Sequence, residues 1–215
     1  MKYFIPLLSF GLAGFLGASE IAEREIECFV ALAMTKDQAN SSIPTDAGLF
    51  IQDNSEVGWK RFGPSVRGIR DLLQDPANPD RIFIGAGNGI LRTLDGGKTW
   101  KLVTGWEESF IEALAMDPQE SSRIYAASIW GIYLSEDNGD TWRDANNGLE
   151  ETFSRAISID SQNRRHLYLA TGSGVFQSKN QAKTWKRSGN FPDVNVTDLE
   201  QSKTNPKLWL AATEG

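Results

Sequence analysis

GILRTLDGGKTW (89–100) and GIYLSEDNGDTW (131–142) are two copies of one segment, in which a glycine and a short apolar run are followed by a tryptophan eleven residues after the glycine. Two further copies, GLFIQDNSEVGW (48–59) and GVFQSKNQAKTW (174–185), keep this spacing. The four tryptophans are therefore 41, 42 and 43 residues apart: Trp59, Trp100, Trp142 and Trp185. A repeat of this length indicates a propeller or a solenoid, in which each unit buries its apolar face against its neighbours.

Two of the copies contain the complete pattern Ser/Thr-x-Asp-x-Gly-x-Thr-Trp. The pattern residues that we expect to build each turn are Asp95, Gly97 and Trp100, and then Asp137, Gly139 and Trp142. The last copy has Asn180 and Ala182 in place of aspartate and glycine, and the first copy keeps only its tryptophan. Asp and Asn bond to backbone N–H groups just ahead of them, Gly accepts a positive φ, and Trp covers the hairpin. We therefore interpret these residues as structural rather than catalytic or metal-binding.

This pattern is the Asp box, and the chain resembles the Asp-box (BNR-repeat) β-propellers. That group includes sialidases, xyloglucanase-type glycosidases, sortilin-like receptors and photosystem II assembly factors. The resemblance implies an all-β fold of four-stranded antiparallel blades, and it implies little about activity because these proteins differ in function. WD-repeat propellers have a similar period, but their Gly-His and Trp-Asp signatures are missing from this sequence.

The rest of each unit also repeats, as short β-rich runs bounded by Asp-Pro, Asn and Gly, and it predicts four strands, A to D, per unit. The match of Val30–Met34 (VALAM) to Glu112–Met116 (EALAM) predicts strand A of the first unit. The predicted propeller domain spans residues 20–215, with blades at about 24–62, 64–105, 106–148 and 149–190 and a partial fifth at 192–215. Asp-box propellers generally have six or more blades, so we expect a fragment of a larger propeller; the alternative is that another subunit supplies the missing strands.

The first nineteen residues, 1–19, predict a secretory signal peptide. Lys2 precedes an apolar stretch from Tyr3 to Leu16, and small residues follow before a charged segment. We therefore expect a secreted or periplasmic protein with no stable membrane insertion after the signal is removed. The alternative is a membrane anchor formed by an uncleaved N-terminus, for which the apolar stretch is short.

Composition excludes several classes of function. A net charge of −6 and a sequence pI of about 4.9 argue against a general binder of nucleic acid or anionic membranes. With Cys28 as the only cysteine and His166 as the only histidine, the sequence offers no internal disulfide and no metal-ligand or thiol-nucleophile constellation. We expect no metal and no cofactor.

The resemblance implies that a ligand meets the face formed by the D–A and B–C connections, opposite the Asp boxes. The candidate ligand-binding residues on that face are Trp106, Glu107, Glu108, Trp130, Glu150 and Glu151, with Phe191 and Asp193 beside them. Aromatic rings beside carboxylates suit carbohydrate, and a carboxylate pair could act as general acid and base across a glycosidic bond. The alternative is that the glutamates keep the loops solvated and the tryptophans pack on neighbouring blades.

A second candidate site comes from the A strands, which line the channel of a propeller. Arg70, Glu112 and Arg155 occupy the same repeat position in successive units. They predict either an anion or carboxylate site, since Arg binds carboxylates bidentately, or a ladder of salt bridges between blades.

No catalytic set is recognisable in the sequence. Sialidases carry an Arg-Ile-Pro motif before the first box, and the nearest stretch here is Ser42-Ile43-Pro44. We therefore expect an exported, non-catalytic binding or assembly module with a protein or carbohydrate ligand. The alternative is a glycoside hydrolase, xyloglucanase-like or sialidase-like, that uses the rim carboxylates or residues outside this sequence.

Overall fold

The computed structural model describes residues 26–32 (backbone only), 48–53, 59–66 and 68–214. The regular secondary structure in this part of the chain consists of β-strands. The predicted signal peptide lies outside these residues. The described part holds no helix with the length and apolarity that a membrane crossing requires. The chain divides into two compact units, residues 1–69 and 70–215, which we describe separately.

The first unit contains one three-stranded antiparallel sheet. Its strands are β1 (Ile26–Leu32), β2 (Gly48–Asp53) and β3 (Lys60–Phe62), in that order. Leu32 pairs with Gly48, so β1 lies directly beside β2. The sequence predicts that this segment is strand A of the first unit. In the structure β1 pairs with β2, which is strand C, and this is the place that strand B has in the later sheets. Strands A and B are both short and apolar, so their local pattern does not distinguish them, and residues 33–47 lie outside the described part.

The next three sheets are four-stranded and antiparallel, and each follows chain order from strand A to strand D. One contains β4 (Ile69–Asp75), β5 (Asn78–Ala86), β6 (Gly89–Thr93) and β7 (Lys101–Leu102). The next contains β8 (Ile111–Met116), β9 (Ile124–Ser128), β10 (Gly131–Ser135) and β11 (Arg143–Asp144). The third contains β12 (Ser154–Ile159), β13 (Leu167–Thr171), β14 (Gly174–Ser178) and β15 (Lys186–Arg187). A last, two-stranded sheet pairs β16 (Asn195–Gln201) with β17 (Trp209–Glu214).

In the second unit the apolar cores lie between successive sheets. Phe83, Ile111 and Tyr133 belong to the core between the β4–β7 and β8–β11 sheets. Tyr125 and Trp185 belong to the core between the β8–β11 and β12–β15 sheets. The A strands β8 and β12 contact each other, as do β12 and β16. Successive four-stranded sheets that pack face to face, with their A strands side by side, are the blades of a β-propeller. The predicted all-β propeller with four-stranded antiparallel blades is therefore confirmed.

The turns between strands C and D carry the repeated pattern, and their hydrogen bonds explain it. Asp137 accepts the backbone N–H and the hydroxyl of Thr141, at 2.9 and 2.5 Å. Asp95 makes the same two bonds in the preceding copy, at 2.9 and 2.6 Å. These threonine hydrogen bonds, chiefly the hydroxyl bond, lower the pKa of both aspartates to about 2. Asn180 accepts the equivalent N–H at 2.9 Å, so an amide supports the same turn.

The glycine of the pattern is explained by close approach to the preceding sheet. Gly139 has a φ of +80°, and a Cβ added there would lie 2.7 Å from the Cε1 atom of Phe83 in β5. Ala182 occupies this position in the next copy, with a φ of +61° and almost no exposure, and it packs in the core that contains Tyr125. Each of these C–D turns therefore packs against strand B of the sheet before it.

Polar contacts also join neighbouring sheets where their A strands end. Asp117 is fully buried, and its carboxylate accepts a hydrogen bond from Arg164 of the next sheet at 3.1 Å. Arg81 contacts the Asp75 carboxylate and donates to the Ser121 hydroxyl of the next sheet at 2.8 Å. These contacts therefore link the end of one A strand to the A–B turn of the next sheet.

Candidate functional site

The D–A and B–C connections lie at one end of the sheets, opposite the C–D turns, because the strands alternate in direction. We call the segments 87–88, 104–110, 129–130, 145–153, 172–173 and 188–194 the loop end. Backbone hydrogen bonds join these segments: Phe110 donates its N–H to the carbonyl of Gly87 at 3.1 Å and accepts that of Ile129 at 3.4 Å. Phe153 accepts the N–H of Gly172 at 3.0 Å in the next sheet.

Three large aromatic side chains of the loop end are exposed. Trp106 is 83% exposed, Trp130 is 53% exposed and Phe110 is 50% exposed. Phe110 and Trp106 share one loop, and the bond between Phe110 and Ile129 brings the turn that carries Trp130 beside it. We call these three side chains the aromatic platform. Sequence reasoning found both tryptophans and missed Phe110, whose signal was its place directly before strand A, where the next unit has Phe153.

The loop that carries Trp106 is held by its own hydrogen bonds. Tyr133 donates its hydroxyl to the carbonyl of Glu107 at 2.9 Å, and Gly105 donates its N–H to the Glu108 carboxylate at 2.8 Å. At the start of the loop, the Thr104 hydroxyl accepts the N–H of Ile90 at 2.9 Å. Hydrogen bonds therefore hold the backbone of the loop that carries Trp106.

The repeat supplies an internal comparison for the platform. The positions equivalent to Trp106 hold Leu149 and Phe191, and both of those side chains pack against cores between sheets. The positions equivalent to Trp130 hold Asn88 and Ser173, which are polar. The repeat framework thus forms without an exposed tryptophan at either position.

Phe110 also has an unusual backbone. Its φ is +52°, a left-handed conformation that costs an L residue other than glycine about 1–2 kcal/mol. The equivalent position one unit earlier holds Gly68, with a φ of +67°. A bulky aromatic side chain therefore stands where the backbone conformation favours glycine.

The predicted rim carboxylates divide into two groups. Glu108 accepts a hydrogen bond from Gly105, and Glu151 accepts the N–H of Phe153 at 2.8 Å, so both stabilise their own loops. Glu107 and Glu150 are exposed. The arrangement supplies exposed negative charge near aromatic rings.

The predicted charged positions on the A strands form separate pairs. Arg70 and Glu112 lie 3.7 Å apart across neighbouring sheets, as a salt-bridge ladder requires. Arg155 instead lies 3.8 Å from Glu214, and its guanidinium stands over the Phe153 ring at 4.8 Å. The structure thus joins Arg70 with Glu112 and gives Arg155 different partners.

Asp71, beside Arg70 on β4, is a feature that sequence reasoning missed. Its carboxylate accepts the N–H of Leu72 at 2.8 Å and that of Leu114, on the neighbouring A strand, at 2.7 Å. Burial raises the pKa of Asp71 to about 6, with a smaller contribution from the negative charge of Asp198, against the lowering effect of the two N–H bonds. The available signal was an aspartate near the start of strand A, in IRDLL, where the next two units have Ala113 and Ala156.

No group of three or more His, Cys, Asp or Glu side chains in the described residues is arranged to hold a metal ion. Among those residues, the chemistry of the loop end rests on aromatic rings, carboxylates and backbone groups.

No protein-family model matches this sequence, and no curated protein matches it. Solved structures do match its fold. An ancestral GH74 enzyme superposes with a TM-score of 0.67 at 19% identity, covering 86% of this chain and 25% of that one. The GH74 xyloglucanase from Xanthomonas campestris gives a TM-score of 0.68 at 16% identity, covering 89% of this chain and 32% of that one. YCF48 from Cyanidioschyzon merolae gives 0.56 at 14% identity, covering 80% and 62%.

At these identities the likeness shows the fold alone, which is that of a β-propeller. The chain spans about a quarter to a third of the length of the two GH74 structures. The activities and ligands of those proteins are therefore not assigned to this chain by the likeness.

Proposed function

We propose that this chain is part of an exported Asp-box propeller that acts as a binding or assembly module, without catalytic activity, and that its ligand lies on the loop end. The observation that carries this proposal is the aromatic platform of Trp106, Phe110 and Trp130. Aromatic residues, Trp above all, are enriched among the residues that carry binding energy at interfaces.

The two tryptophans support a binding role because the repeat framework forms without a tryptophan at the equivalent positions. A tryptophan ring buries roughly 150–250 Å² when it packs, and Trp106 buries little of that area because it is 83% exposed. At the equivalent positions, Leu149 and Phe191 pack against cores. Phe110 carries backbone strain in addition. Strained residues and exposed aromatic residues concentrate at ligand sites.

The assignment to the Asp-box group rests on the C–D turns. The aspartates of two copies bond their threonines in the same way, and a copy with Asn180 keeps the N–H bond. Export rests on the signal-peptide layout of residues 1–19, with a charged residue, an apolar stretch and small residues in order.

The binding role is tested by affinity capture with the immobilised chain. The variant carries both Trp106→Ala and Trp130→Ala, and the control carries Leu94→Ala, which removes an exposed apolar side chain from the opposite end. We expect wild type and control to retain the same protein or glycan and the double variant to lose it. Retention that does not depend on the two tryptophans would refute a ligand site at the loop end.

The alternative, a glycoside hydrolase, is favoured by the likeness of the fold to GH74 enzymes. Against it, Glu108 and Glu151 bond to backbone N–H groups of their own loops, which leaves Glu107 and Glu150 as exposed carboxylates. We expect no turnover of chromogenic glycosides or β-glucans by wild type. Turnover that Glu107→Gln or Glu150→Gln abolishes would establish the hydrolase in place of the binding module.

A further inference from the structure

The loop segments defined above carry charge of one sign. Whereas the connection before β4 contains Arg67, the D–A connections at 104–110, 145–153 and 188–194 contain no Lys, Arg or His. Their charged residues are all acidic: Glu107, Glu108, Glu150, Glu151 and Asp193. The B–C turns at 87–88, 129–130 and 172–173 are uncharged. The aromatic platform therefore lies in an acidic surround.

The opposite end of the sheets is different. Its A–B and C–D turns contain both acidic and basic residues, and the exposed cations there include Lys98, Arg165, Lys179, Lys183, Lys203 and Lys207. The net charge of −6 is thus unevenly distributed, because the loop segments defined above contribute only acidic residues.

The arginines that approach the loop end come from strands and lie beside carboxylates. Arg70 lies 3.7 Å from Glu112, and Arg155 lies 3.8 Å from Glu214. Arg187 donates to the carbonyl of Ser173 at 2.5 Å, so its guanidinium reaches the loop end, and it lies 3.9 Å from Asp193. These pairs leave the four glutamates of the loops as the charge that a ligand meets.

We propose that the loop end binds a cationic segment of a polypeptide, with Lys or Arg side chains over the rings of Trp106 and Trp130 and salt-bridged to Glu107 and Glu150. This inference rests on the proposed function and names the chemistry of the ligand. The face of an indole ring is electronegative and attracts cations, Arg most often. Carboxylates nearby act in the same direction and steer a cationic partner toward the surface.

Other classes of ligand use only part of this surface. A neutral glycan would stack on the rings, but it would gain no charge attraction from the glutamates. An anionic glycan, a nucleic acid or an acidic protein would be repelled by them. A cationic polypeptide is the class for which rings and carboxylates act together.

The test is fluorescence anisotropy with the full chain and three probes: a labelled alternating Arg-Gly peptide, a Glu-Gly peptide of equal length, and labelled cellohexaose. We expect the Arg-Gly peptide to bind alone, with an affinity that falls at least about tenfold when the ionic strength rises from about 0.05 to 0.5 M. Trp106→Ala with Trp130→Ala should weaken binding about tenfold or more, and Glu107→Gln with Glu150→Gln should weaken it several-fold. Circular dichroism checks that every variant is folded.

Two controls make the result specific. Leu94→Ala removes an exposed apolar side chain at the opposite end, and Glu200→Gln removes an exposed carboxylate on β16 outside the loop end; neither should change the affinity. Equal weakening by Glu200→Gln and Glu107→Gln would overturn the inference, since binding would then follow overall charge. Failure of the Arg-Gly peptide to bind at low salt would overturn it as well.

The outcomes separate this inference from the proposed function. Cellohexaose binding that is lost with the two tryptophans, in the absence of Arg-Gly binding, would refute the cationic ligand and keep the loop-end binding module. Binding of the Arg-Gly peptide that survives loss of both tryptophans would refute both.

Discussion

Trp185→Ala tests whether the tryptophans of the repeat hold neighbouring sheets together. Trp185 is 2% exposed, lies in the core between the β8–β11 and β12–β15 sheets, and donates its indole N–H to the carbonyl of Ala145 at 2.8 Å. A ring that buries roughly 150–250 Å² is worth about 4–6 kcal/mol at 25 cal/mol per Å², which is an upper value. We therefore expect the free energy of unfolding to fall by about 3–5 kcal/mol, as for other large core truncations.

The matched comparison is Trp106→Ala, the same deletion at a side chain that is 83% exposed, which should cost less than about 0.5 kcal/mol. Trp142 is half-buried and should fall between the two. Urea unfolding followed by far-UV circular dichroism measures all three variants without relying on tryptophan fluorescence. Equal losses for Trp185→Ala and Trp106→Ala would refute the division between core and loop-end residues.

Three further predictions concern ionisable groups. With a folded pKa near 6, Asp71 binds a proton between about pH 4 and 6 that the unfolded chain has released, so this group makes the free energy of unfolding fall as the pH rises. Asp71→Asn should remove that contribution and flatten the pH dependence, which urea unfolding across this window checks. Asp137→Asn should keep the fold at neutral pH and lose less stability in melts between about pH 4 and 2, because the lowered pKa makes the carboxylate stabilising only above that window. Asp117→Ala should cost about 1.5–3 kcal/mol, as for a lost hydrogen bond to a charged group, because Arg164 is partly exposed and keeps its contact with Glu120; a double-mutant cycle with Arg164→Ala should show coupling.

The sequence was sufficient for the fold because the features that define it are local and repeated. The glycine that opens strand C, the aspartate of the turn and the tryptophan that follows act within about twelve residues, and their spacing recurs with each sheet. Asn180 and Ala182 show how much the pattern tolerates, since their turn keeps the Asn180 bond to Thr184 and packs in a core. In the first unit, where this pattern is weakest, the predicted order of strands differs from the observed one.

Features that depend on a neighbouring sheet were harder to predict. Asp71 takes its role from Leu114, 43 residues away in the chain, and no local motif indicates that bond. The exposure of Trp106 could be predicted from its place in a D–A loop, but Leu149 occupies the same repeat position and packs. Whether such a side chain packs or stays exposed depends on the adjoining sheet, which periodicity alone does not specify. The ligand roles of the loop-end residues stay predictions.

The central claim is that ligand recognition belongs to the loop end and that the C–D turns serve the stacking of the sheets. Hydrogen–deuterium exchange of the full chain with and without the Arg-Gly peptide tests it most directly. We expect new protection in residues 104–110 and 128–131 and none in residues 94–100 and 136–142. Protection confined to those C–D turns would contradict the claim.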